Sequence, residues 1–97
     1  MAKMVLNFDG EILNQFDGLK GCVFTNGCFD ILHRGHIELF KFCYNQKKIW
    51  QQVVVGVNTD RSIQELKGSY RPIMPLKDRV GVLLGIQWID YLVTFDT

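Results

Sequence analysis

The only two histidines of the chain stand three residues apart, at the end of the run Asn26-Gly27-Cys28-Phe29-Asp30-Ile31-Leu32-His33-Arg34-Gly35-His36. Residues three apart on a helix share a face, so His33 and His36 can both project from one first turn. A neutral imidazole carries one N–H donor. Two such donors at a helix start suit the nonbridging oxygens of a phosphate, and the helix N-terminus adds its own N–H groups and partial positive charge. Reaction at phosphorus asks for positioning and charge stabilisation, with no covalent protein intermediate. Gly27 permits close backbone approach to a ligand, and Gly35 does the same where the helix begins. Asp30 is placed to orient His33 or a magnesium-bearing phosphate group. Asp30, His33 and His36 are also spaced like metal ligands, although no further histidine extends such a set. The bland alternative is a pair of histidines with a purely structural role. Cys28 has no base to activate it and reads as a small filler rather than a nucleophile.

These residues need elements to hold them. Cys22 to Thr25 reads as a short buried strand that ends at the turn signal Asn26-Gly27. A helix is predicted from about Gly35 to Asn45-Gln46, its apolar stripe formed by Ile37, Phe40 and Tyr44 and widened by Leu39 and Cys43. Val53 to Val57 is a continuous, nearly all β-branched run, the pattern of a parallel strand buried on both faces. Asn58-Thr59-Asp60 then offers helix caps for a short helix over 61–66. A loop follows to Met74, and Pro75 opens another helix, with Val80, Leu83, Leu84 and Gln87 on its inner face. Ile89 to Phe95 reads as a third strand. This order predicts a Rossmann-like α/β fold, a βαβαβ parallel sheet with flanking helices and right-handed crossovers. In such sheets ligands sit at the carboxyl ends of the strands, where the histidine junction lies. Residues 1–21 read as an N-terminal arm with a short helix between Glu11 and Phe16, leaving 22–97 as the main domain.

The net charge of +1 gives no field to attract nucleic acid or an acidic membrane. No apolar run approaches the ~20 residues of a membrane span. Three irregularly spaced cysteines argue against a disulfide framework and fit a reducing cytoplasm.

The motif His33-Arg34-Gly35-His36 resembles the His-x-Gly-His signature of the cytidylyltransferase-like superfamily of nucleotidyltransferases. The similarity is closer to the adenylyltransferase domain of bacterial ADP-heptose synthases. It rests on Thr25 to His33, on Val57-Asn58-Thr59-Asp60, and on Leu66-Lys67-Gly68 with Arg71-Pro72-Ile73. Glycerol-phosphate cytidylyltransferases are more distant, and their Arg-Tyr-Val-Asp motif stands here as Gln87-Trp88-Ile89-Asp90, without the arginine.

The resemblance implies transfer of a nucleotidyl group from ATP or CTP to a phosphorylated sugar or polyol, with Mg²⁺. His33, His36 and Lys67 would be catalytic. Thr25, Asn26, Gly27, Cys28, Phe29, Asp30, Gly35 and Arg71 would bind the nucleotide. Asn58, Asp60, Arg79 and Asp90 would bind the acceptor. No residue is assigned to a protein-held metal. The family's domain continues with another strand and a Ser/Thr-rich triphosphate segment, so the match implies a domain incomplete at its C-terminus. Two expectations follow. One is an open edge on the third strand, favouring a homodimer; the other, as an alternative to the enzyme, is a nucleotide-binding or assembly module without full activity.

Overall fold

A computed structural model describes residues 21–96 and, for the backbone, residues 4–7. Seven elements follow in chain order: β1 (Met4–Asn7), β2 (Cys22–Gly27), α1 (Arg34–Gln46), β3 (Gln52–Asn58), α2 (Asp60–Lys67), α3 (Leu76–Leu83) and β4 (Tyr91–Phe95). The four strands form one all-parallel sheet in the order β1-β4-β3-β2. The three strands expected from sequence lie side by side in their expected succession, and the fold is Rossmann-like α/β.

The central strand β3 is buried from Val53 to Asn58. Its side chains alternate between faces. Val53, Val55 and Val57 join Leu92, Phe29, Phe40, Cys43, Leu83 and Ile89 in the main core. Val54 joins Cys22 and Val93 in a smaller cluster. α1 therefore packs on one face of the sheet through Phe40 and Cys43. Both crossovers run the same way along the sheet, so right-handedness puts α1 and α3 on that same face. Ile37 and Tyr44, expected in the buried stripe, are partly exposed at its margin. Tyr44 instead packs on Trp88, with ring centroids 5.3 Å apart.

Three further expectations are corrected. α3 ends at Leu83, so Gln87 lies in a following turn rather than on the helix face. β4 starts at Tyr91; Ile89 is buried ahead of it, and Asp90 forms a bracket with β3, donating its N–H to the Val53 carbonyl and accepting the Val53 N–H on Oδ2. Most consequentially, Met4–Asn7 pairs with β4 in register Met4 to Tyr91. β4 thus has neighbours on both sides, and the open edge proposed for it, with the dimer argument built on that edge, loses its basis. The helix expected between Glu11 and Phe16 lies outside the described residues. Among the described residues no helix is long and apolar enough to cross a membrane.

Candidate functional site

At the carboxyl ends of β2 and β3 the chain leaves a cleft of about 410 Å³. The first junction forms its floor and one wall. After Gly27 the backbone turns through Phe29, a non-glycine residue at φ 49°. Such a conformation is costly for a bulky side chain, and here packing over-determines it. The Phe29 ring is buried, edge-on to His36 at 5.4 Å and tilted against Phe40 at 5.3 Å. Phe29 is thus the residue that seats His36.

His33 caps α1. Its Nδ1 accepts the Gly35 N–H at 3.0 Å, while its own N–H donates to His36 Nδ1 at 3.2 Å. A side-chain cap at this position satisfies a donor the helix cannot. With both Nδ1 atoms accepting, the tautomer assigned to each ring from this geometry carries its proton on Nε2. The ring centroids lie 4.0 Å apart, inclined by 34°, and both histidines line the cleft. Burial first, and the neighbouring His33 second, press the His36 pKa below its ordinary 6.5, which favours this neutral form. Gly35 is required by the cap. A Cβ there would meet His33 Cε1 at 2.7 Å and Nδ1 at 2.9 Å. The Gly35 N–H, expected to face a phosphate, is spent on His33, so the helix start reaches the cleft through its imidazoles.

Asn26, Gly27, Cys28, Phe29, Asp30, Lys67 and Arg71 complete the expected lining, and the cleft adds Ile31 and Leu39, which sequence reasoning passed over. Ile31 lies inside the run, two residues before His33, and Leu39 is one turn of helix beyond His36; apolar residues carry no chemical signal of their own. Thr25 and Gly35 do not line the cleft. Thr25 pairs with Val55 inside the sheet. Arg34 points to solvent, with Glu38 3.8 Å away.

Asp30 orients neither histidine. Its Oδ2 accepts the Ile73 N–H and its Oδ1 the Met74 N–H, each at 2.8 Å, and Arg71 Nη1 lies 3.4 Å from Oδ2. Burial works to raise its pKa, but the two amides and Arg71 together hold it below the usual carboxylate range. With Asp30 turned to that loop and both Nδ1 atoms occupied, the Asp-His-His metal reading has no geometry. Among the described residues no three His, Cys, Asp or Glu side chains gather as metal ligands.

The four residues expected to contact the acceptor each bond within the protein, Arg79 and Asn58 from buried positions and Asp60 from a partly exposed one. The Arg79 side chain is fully buried. Its Nε donates to the Met74 carbonyl at 3.0 Å, and its Nη1 to the carbonyls of Cys28 and Asn58 at 2.8 and 2.7 Å. Its Nη2 donates to Asp60 Oδ1 at 2.6 Å. Asp60 also accepts the Leu76 N–H at 2.9 Å, starting α3. Asn58 is buried and donates from Nδ2 to the buried Ser62 hydroxyl at 2.8 Å. Asp90 belongs to the β3 bracket already described. The geometry makes Asn58, Asp60 and Arg79 positioning residues that tie the first junction, β3, α2 and α3 together behind the cleft, while Asp90 joins the start of β4 to the amino end of β3. Ser62 was not singled out in sequence; a serine within a short helix gives no sign of a buried partner.

A family model described as cytidylyltransferase-like matches residues 24–97. Among individual relatives, "Bifunctional protein HldE" of Campylobacter fetus subsp. fetus is 44% identical over 94 residues, covering 97% of this chain and 20% of that protein. The protein of the same name from Campylobacter concisus is 49% identical over 86 residues, covering 89% of this chain and 17% of its own length. The chain thus spans a fifth or less of these curated relatives. Among solved structures, a lipopolysaccharide core biosynthesis protein from Thermoplasma volcanium superposes with a TM-score of 0.64 at 28% identity, over 76% of this chain and 57% of the other.

Proposed function

The chain belongs to the cytidylyltransferase-like family, and from that premise we propose that its cleft binds the phosphates of ATP or CTP for nucleotidyl transfer to a phosphorylated sugar or polyol. A phosphate oxygen of the acceptor attacks the α-phosphorus. The bond from that phosphorus to the bridging oxygen breaks, and pyrophosphate leaves with the electron pair. The observation that carries this reading is the pair of imidazoles whose Nδ1 atoms are both occupied, so that both Nε2–H groups remain as donors beside Lys67 and Arg71. Preorganised donors of this kind act where charge develops in the transition state. His33 and His36 hold the oxygens of the transferring phosphoryl group, and Lys67 and Arg71 hold the outer phosphates.

Magnesium tests differently. It prefers oxygen ligands, and it is commonly held by one or two carboxylates together with substrate phosphates. Among the described residues Asp30 is the single carboxylate lining the cleft, and both its oxygens are engaged by the loop that follows α2. The residues present do not form a magnesium site, so the ion belongs in this reading to the nucleotide, as Mg-ATP or Mg-CTP. Among the described residues the cysteines form no disulfide, in keeping with the reducing cytoplasm we assign to the protein.

Calorimetry with ATP and CTP in magnesium tests the first requirement. Saturable binding of at least one nucleotide is expected, followed by pyrophosphate release when a panel of sugar phosphates is added. Absence of binding at millimolar nucleotide would refute the reading.

A further inference from the structure

The segment from Gly68 to Pro75 links α2 to α3 as a strap beside the cleft, and it carries Arg71. Gly68 sits at φ 100°, in the left-handed region that glycine adopts without strain. Tyr70 is 95% exposed. From Arg71 onward the strap is fastened. Met74 is pinned through its carbonyl by buried Arg79. On the cleft side, Asp30 takes the Ile73 and Met74 amides on separate oxygens at 2.8 Å. The Asp30 side chain is only 11% exposed. Charge-assisted bonds from backbone amides to a carboxylate are roughly twice as strong as neutral ones.

The contact from Arg71 to Asp30, at 3.4 Å, is longer than either amide bond. Arginine carries five N–H donors in a rigid fork. It can keep one on Asp30 while turning others toward an anion. Of Asp30's three partners, the guanidinium is the one least firmly engaged, and it alone lines the cleft.

We infer that Asp30 is the positioning residue for Arg71: it latches the strap to the first junction and thereby aims the guanidinium at phosphates held by the histidine pair. The inference rests on the nucleotide reading above. Lys67, at the end of α2 ahead of Gly68, does not depend on the latch.

The test is a double-mutant cycle in the full 97-residue chain, with Mg-ATP and inorganic tripolyphosphate as probes. Asp30→Asn removes the charge and turns an amide N–H₂ toward donors. It should weaken both probes about tenfold, the size of one charge-assisted bond. Arg71→Ala should weaken them by a similar factor, and the double variant should lose little more than either single one. Amide exchange at Ile73 and Met74 should accelerate in Asp30→Asn while β3 amides stay protected; that second readout separates a released strap from a loosened fold. Losses that multiply in the double variant, or unchanged affinity in Asp30→Asn, would overturn the latch while leaving the nucleotide reading in place. A wild-type chain that binds neither probe would overturn that reading, and the latch as a binding device with it.

Discussion

Two polar clusters flank the same cleft and differ in what their donors do. Behind it, Arg79 has donors on four acceptors in four segments, and Asn58 and Asp60 are likewise engaged. In front, His33 and His36 spend one nitrogen each on the backbone, and both rings line the cleft beside Lys67 and Arg71. Each cluster contains residues with family-typical spacing. The front pair keeps a ring nitrogen of each histidine outside the protein's own hydrogen bonds, whereas the Arg79 side chain is fully buried among its acceptors, so a candidate ligand contact is told from support by burial and satisfaction, not by residue type.

The sharpest way to break this contrast is at Arg79. Arg79→Met fills similar volume but strands three carbonyls and the Asp60 carboxylate. Loss of a buried partner of this kind costs about 3–5 kcal/mol, a large part of the total stability of a small domain. Urea denaturation should show a midpoint collapsed toward zero. A variant that unfolds like wild type would mean the rear cluster is not structural.

His36→Ala probes the front. It should lower turnover by about 10²–10³ while reducing stability by only about 1 kcal/mol, the worth of a capping contact. Normal turnover would remove His36 from the reaction. An equally large stability loss would erase the distinction between the clusters.

Much of this was legible in the sequence. The β-branched run at β3, the turn at Asn26-Gly27 and the caps at Thr59 and Pro75 state local preferences that packing then follows. The placement of the histidine pair at the start of α1 was legible because its three-residue spacing follows the turn at Asn26-Gly27. The strand β1 was missed because four residues without alternation, even ahead of the turn signal Asp9-Gly10, do not show what they pair with. The roles of Asp30 and Arg79 were misplaced for a related reason. A charged residue near a motif looks like a ligand contact until its partners, 43 to 51 residues away for Asp30 to Ile73 and Arg79 to Cys28, are known.

The smallest expected effect concerns pH. The folded His36 pKa is depressed, so between its ordinary 6.5 and the lower folded value the unfolded chain binds more protons than the folded one. Stability should be flat above about pH 6.5 and decline as pH falls through that window. His36→Asn should flatten the decline. A rise in stability over the same interval would reverse the sign and contradict the neutral ring.

The central claim is that both imidazoles are Nε2–H tautomers aimed at the nucleotide's phosphates. Nitrogen-15 NMR of the two rings, with and without Mg-ATP or Mg-CTP, tests it most directly. Protons on Nε2 of both rings, and both Nε2 resonances moving on saturation while the Nδ1 resonances stay nearly fixed, is the predicted result. A proton on either Nδ1, or ring resonances indifferent to bound nucleotide, would contradict it.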